Sequence, residues 1–75
     1  MERVGTVSRT AQGLAVIRCA SADHPDIGTP VVDESLNGVG RVVDVFGPVS
    51  KPYVAVSPND RSRLAELVGQ KLYAR

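Results

Sequence analysis

The sequence predicts a small all-β protein, closed as a barrel and carrying one short helix. Three observations predict it: the segments are short and rich in Val, they are punctuated by Gly, Pro and Asn-Gly, and only one stretch repeats apolar residues at helical spacing. With 75 residues the chain is expected to form a single domain, 1–75, near the low end of independently folding sizes. Hydrophobic residues make up 43% and charged residues 23%, a globular balance that argues against disorder across the chain. A domain of this length buries only about 60% of its unfolded surface, so the core is thin and a partner would add stability.

Arg3 to Arg9 is expected as the first strand, Gln12-Gly13 as a turn, and Leu14 to Ala20 as the second strand of a hairpin, with Leu14, Val16 and Ile17 feeding the core. Ser21 to Pro30 holds Asp23, His24, Pro25, Asp26, Gly28 and Pro30 and is therefore loop, with Ile27 its one side chain expected to be buried. A short strand runs from Val31 to about Asp33. Asn37-Gly38 suits a tight turn because both residues tolerate positive φ. The next strand covers Val39 to Phe46 and is ended or bent by Gly47-Pro48, since Pro48 has no N–H to give a ladder. Pro52 to Val56 returns as a strand, after a loop in which Val49 is partly exposed. Leu64, Leu67 and Val68 recur at i, i+3 and i+4 behind Pro58-Asn59-Asp60, with Gly69 at the C-cap position. That spacing predicts a short helix, plugging one barrel end or packing on its side. Lys71 to Ala74 finishes the sheet.

The run from Val39 to Tyr53 is too apolar for a strand that faces water. Alternation places Val39, Val43 and Val45 on one face and Val42 and Phe46 on the other, and both faces are then largely apolar. Such a strand belongs where a sheet is covered on both sides, yet 75 residues leave hardly any material for a second layer. Another protein could supply it.

Chemistry of other kinds is poorly provided. Cys19 is the single cysteine, so no disulfide forms within the chain and a reducing, intracellular setting is the simpler reading. The opening Met-Glu-Arg-Val-Gly lacks the apolar core of a signal peptide, and no apolar run approaches the ~20 residues of a membrane helix, so a soluble, cytoplasmic protein is expected. Cys19 and His24 are one residue of each kind, too few for a four-ligand zinc site; no metal and no cofactor is expected. The one histidine sits in a loop beside Pro25 with no nucleophile turn around any serine, and most such lone loop histidines are surface residues. Asp33 and Asp44 could face each other as paired carboxylates, but solvated acids fit them better. Gly38-Val39-Gly40 shares two glycines with a nucleotide fingerprint, but it precedes a strand instead of opening a helix, so these glycines are read as turn chemistry. An enzyme is the least favoured class. The net charge of +1 and the sparse aromatics make strong direct RNA binding unexpected.

The run Gly40-Arg41-Val42-Val43-Asp44-Val45-Phe46-Gly47-Pro48-Val49, followed by Pro52-Tyr53-Val54-Ala55-Val56, closely resembles the small β-barrel subunit of archaeal H/ACA ribonucleoprotein particles, the RNA-guided pseudouridine synthases. Weaker similarity extends over Arg3-Val4-Gly5-Thr6-Val7, Gly13 to Arg18, Pro30 to Asp33 and Val68 to Tyr73. The glycine- and arginine-rich tails of eukaryotic relatives are absent from these residues. The resemblance implies a six-stranded barrel of the translation-factor/reductase-isomerase type with no catalytic activity. It implies one main partner, the catalytic subunit of the synthase, with guide RNA reached only through the complex and no membrane or small-molecule substrate. In that family the barrel docks on the catalytic domain and influences a mobile loop that holds or releases substrate RNA during pseudouridylation of rRNA and tRNA. The contact role carries over to Val45, Phe46, Gly47, Pro48, Val49, Pro52 and Tyr53. From the residues alone Phe46 is better read as barrel core than as a contact residue, and one strand can serve both roles if its two faces divide them. A free-standing RNA-binding barrel and a translation-factor-like adaptor stay open as alternatives, distinguished by salt-sensitive affinity for guide RNA or by failure to bind a synthase.

Overall fold

The computed structural model describes residues 2–75. Six strands, β1 (Glu2–Ala11), β2 (Leu14–Cys19), β3 (Pro30–Val32), β4 (Gly38–Phe46), β5 (Tyr53–Pro58) and β6 (Lys71–Ala74), close into a barrel in the order β1-β2-β5-β4-β3-β6. Every neighbouring pair is antiparallel. A 3₁₀ helix, Arg61–Leu67, stands between β5 and β6. The β1–β2 hairpin turns on Gln12 and Gly13, both at positive φ (54° and 77°), which matches the right-handed twist of the flanking strands.

The interior is filled by Val4, Val7, Ala15, Ile17, Cys19, Val31, Val39, Val42, Val54, Val56 and Leu72. Apart from Ile17 and Leu72 these are Val, Ala and Cys, side chains that suit the narrow bore of a six-stranded barrel. Leu64 and Leu67 of the 3₁₀ helix pack against them, as does half-buried Val45. Val68, grouped with Leu64 and Leu67 by helical spacing, lies beyond the last turn and is exposed. The tighter winding of a 3₁₀ helix separates it from their face. Asp60 starts the helix: its carboxylate accepts from the Ser62 amide at 3.0 Å and the Ser62 hydroxyl at 2.6 Å, which lowers its pKa.

Four further details differ from the sequence expectation. In β2 the interior takes Ala15, Ile17 and Cys19, while Val16 is buried outside that cluster, because one strand cannot put adjacent residues 16 and 17 on the same face. Ile27 is 65% exposed. Its loop is held by main-chain bonds from Gly28 to the Val42 carbonyl and from the Val42 amide to Thr29, so the side chain has no need of the core. The β3–β4 turn is built by Asp33, whose carboxylate accepts from the Ser35 and Asn37 amides at 2.9 and 3.0 Å. Leu36, at φ 67°, takes the left-handed position expected of Asn37-Gly38, and Gly38 already belongs to β4.

The fourth difference concerns β4. Its pairing slips twice, opposite β3 between Val31 and Val32 and opposite β5 between Val42 and Asp44. Each slip is a bulge, and each inserted residue shifts the phase of the alternation. Val39, Val42 and Val45 therefore turn toward the core, whereas Val43 and Phe46 are 41% and 38% exposed. The expected grouping of Val43 with Val39 and Val45, and of Val42 with Phe46, is corrected accordingly.

Candidate functional site

The β4–β5 connection is where apolar side chains reach the surface together. Phe46 and Tyr53 are register partners at the end of the two strands, and their rings stack with centroids 5.6 Å apart and planes inclined by 22°. The stack keeps both rings in place on the outer face, where isolated aromatics would sample other rotamers. Between them Gly47 turns the chain at φ 88°, and a Cβ there would come within 2.8 Å of the Tyr53 ring. Glycine thus serves twice, as the left-handed residue and as the floor on which the ring lies. Pro48 follows on the surface, and Val49 at the loop tip is 90% exposed.

The loop is anchored where it rejoins the barrel. Pro52 is buried and its carbonyl accepts from the Cys19 amide at 3.0 Å, tying the loop to β2. Of the seven residues singled out from the sequence, Phe46, Gly47, Pro48 and Val49 are exposed and continuous with half-buried Tyr53, and together they form the ribbon. Val45 and Pro52 sit beneath it, half-buried and buried. Two neighbours escaped the sequence reading. Val43, expected on the face of Val39 and Val45, is instead exposed by the β4 bulge, and Arg18 of β2 lies opposite Tyr53, so a row Arg18–Tyr53–Phe46 crosses three strands on the outside. No sequence signal marks Arg18, since only the pairing register sets it beside Tyr53. Lys51 in the loop and Asp44 on β4 are exposed as well, leaving the apolar ribbon with charged residues of both signs around it.

The acids and the histidine weighed from the sequence make local contacts. Asp33 and Asp44 are not brought together: Asp33 is engaged in its turn, and the Asp44 carboxylate accepts from the Val45 amide at 2.8 Å. His24 is exposed, with Nδ1 3.0 Å from the Pro25 carbonyl oxygen, along a groove between β1 and the 20–25 loop. Among the described residues no group of three His, Cys, Asp or Glu side chains is placed to hold a metal ion. Among the described residues no helix is long and apolar enough to cross a membrane. Cys19 is 2% exposed, and burial pushes its thiol pKa up, so the reactive thiolate is scarce. Alkylation of the native protein is expected to be slow and to accelerate to the rate of a free thiol in denaturant. Rapid labelling of the folded chain, followed by mass spectrometry, would contradict this placement.

The geometry defines the class first: a small closed antiparallel β-barrel that carries a stacked aromatic pair and an exposed apolar loop on its surface. Within that class, the chain belongs to the Gar1/Naf1 family, since residues 1–75 match the Gar1/Naf1 RNA binding region. The H/ACA ribonucleoprotein complex subunit GAR1 of Encephalitozoon cuniculi is 28% identical over 71 residues, which cover 95% of this chain and 38% of that protein. An uncharacterized protein of Methanothermobacter thermautotrophicus is 29% identical over 77 residues, covering 97% of this chain and 82% of its own length. Another from Methanocaldococcus jannaschii is 34% identical over 56 residues, 75% of this chain and 65% of that one. The chain thus spans well under half of the Encephalitozoon relative. Among solved structures, the Gar1 domain of Naf1 superposes with a TM-score of 0.72, covering 99% of this chain and 81% of that one. At 15% identity that likeness establishes the shared barrel fold.

Proposed function

We propose that this chain is a non-catalytic subunit of an H/ACA ribonucleoprotein particle. It docks through the Phe46–Tyr53 ribbon on the catalytic domain of the pseudouridine synthase subunit. The observation that carries this reading is the stacked, outward-facing aromatic pair flanked by an almost fully exposed Val49, in a chain of the Gar1/Naf1 family. Apolar side chains held at the surface cost solvation free energy unless something covers them, and interface centres favour such aromatics. A standard interface takes roughly 800 Å² from each partner. Against an accessible surface of 4653 Å² that is about a sixth of the molecule, enough for one main partner on one face.

The barrel acts by shifting a population. If it binds one state of the synthase's mobile substrate loop more tightly than another, it moves that equilibrium by the difference in affinity, and substrate loading or product release changes without chemistry from the barrel. The test is to mix the chain with an H/ACA synthase subunit in the absence of RNA. Co-elution as a stable complex is the expected result, and separate elution would overturn the docking reading.

The matched family's description as an RNA binding region favours a second reading, direct RNA contact along the Arg18–Tyr53–Phe46 row. A net charge of +1 weakens it, because phosphate contacts supply most nonspecific affinity. Guide RNA binding by the chain alone, falling steeply with salt, would favour this second reading over the first.

A further inference from the structure

The barrel closes through its shortest strand, which is too short to cover the whole of β4. β3 has three residues and pairs with β4 only at Gly38, Gly40 and Arg41; the Gly28–Thr29 segment extends the ladder to Val42. Among the described residues, no strand pairs with Val43 to Phe46 on the side away from β5.

The main-chain direction of Val45 follows from the neighbouring ladder. The Cys19 amide donates to the Pro52 carbonyl, so Pro52 faces β2, and by alternation Val54 and Val56 face β2 while Tyr53 and Ala55 face β4. Val45 is opposite Val54, so its own N–H and C=O point away from β5, to the open side. Val42, opposite Val56, points the same way and does find partners there, in Gly28 and Thr29. The Val45 amide instead donates to the carboxylate of the preceding residue, Asp44, at 2.8 Å. An acidic side chain folded over an edge amide is a removable cap, and it discourages pairing with a second copy of the same edge.

We propose that this open edge at Val45 receives an extended segment of the synthase subunit. The added strand bonds to the Val45 N–H and C=O and displaces the Asp44 carboxylate. The proposal rests on the docking reading above and deepens it. An outward donor and acceptor on one peptide are matched by another main chain in β conformation. The edge also carries exposed Val43 and runs directly into Phe46, so strand pairing and ribbon contact belong to one continuous surface. In a second copy docked edge to edge, two Asp44 carboxylates would share one face of the new ladder, which disfavours the homodimer.

Amide hydrogen exchange on the isotopically labelled chain, alone and saturated with the synthase subunit, tests this. Exchange at Val45 is expected to slow by roughly a hundredfold or more in the complex. A complex in which Val45 exchanges as in the free chain would overturn strand addition while leaving docking intact. Absence of any complex would overturn both. Concentration-dependent protection of Val45 in the chain alone would assign the edge to a second copy instead. Asp44→Ala, which removes the competing acceptor, is expected to bind about threefold to tenfold more tightly. Weaker binding by a folded Asp44→Ala protein would mean that the carboxylate meets a partner cation, and would overturn the displacement.

Discussion

Phe46→Asp and Tyr53→Ala are each expected to abolish co-elution with the synthase subunit while leaving the barrel folded. A central aromatic anchor is worth about 2–4 kcal/mol in an interface, so each change should weaken binding roughly 30-fold to 1,000-fold. Aspartate at 46 goes further, because it buries a charge against whatever apolar surface covers the ribbon. The cost in the free protein is smaller. Phe46 is 38% exposed and outside the interior cluster, so its loss removes the stack with Tyr53, about 0.5–1.5 kcal/mol, and part of one side chain's burial. The two substitutions should be strongly non-additive, since either one dismantles the same stacked pair. Calorimetric titration of the folded variants measures all of this. Undiminished affinity in both would remove the ribbon from the interface.

The second large effect is on stability. Gly40 is buried where β4 crosses β5, and a Cβ at that position would stand 2.0 Å from the Ser57 carbonyl oxygen, 2.9 Å from its carbon and 3.0 Å from the Pro58 Cα. All three are backbone atoms, so no side chain can swing aside; the strands themselves must part. Gly40→Val should therefore cost about 3 kcal/mol or more. At about 0.05–0.15 kcal/mol per residue, a chain of 75 residues has only roughly 4–11 kcal/mol in total. Gly38 supplies the contrast. A Cβ there meets only the Asn59 side-chain nitrogen at 3.5 Å, an ordinary contact, so Gly38→Ala should shift the urea midpoint little. Equal midpoints for Gly40→Val and the parent would show that β4 and β5 do not approach as closely as described.

That pair of glycines shows where sequence reasoning reached its limit. In the sequence Gly38 and Gly40 look alike, both read as turn chemistry where a strand begins. In the fold neither is the turn: Leu36 takes the left-handed position, Gly38 begins the strand, and Gly40 is required by the closeness of β5. The ribbon was more legible. Phe46, Gly47, Pro48, Val49 and Tyr53 were marked by their motif and do share one surface, whereas Val45 and Pro52 of the same motif support it from below. The place of Arg18 beside Tyr53 and the exposure of Val43 are not legible in the sequence, because a cross-strand neighbour and a bulge are properties of a pair of strands.

By itself the sequence determined an all-β barrel with its strands in order, a hairpin at Gln12-Gly13, a short helical turn before the last strand and an apolar surface loop after the fourth strand. These follow from local chemistry: β-branched side chains favour strands, and Gly, Pro and short polar residues favour turns. The tertiary structure alone decided which face each β4 side chain takes, that Ile27 stays outside, and that the edge at Val45 is open. The reason is that an alternating strand has two possible phases, and one extra residue exchanges them. Whether a residue is extra is settled by the strand opposite, so the information lies in the pairing of β4 with β3 and β5.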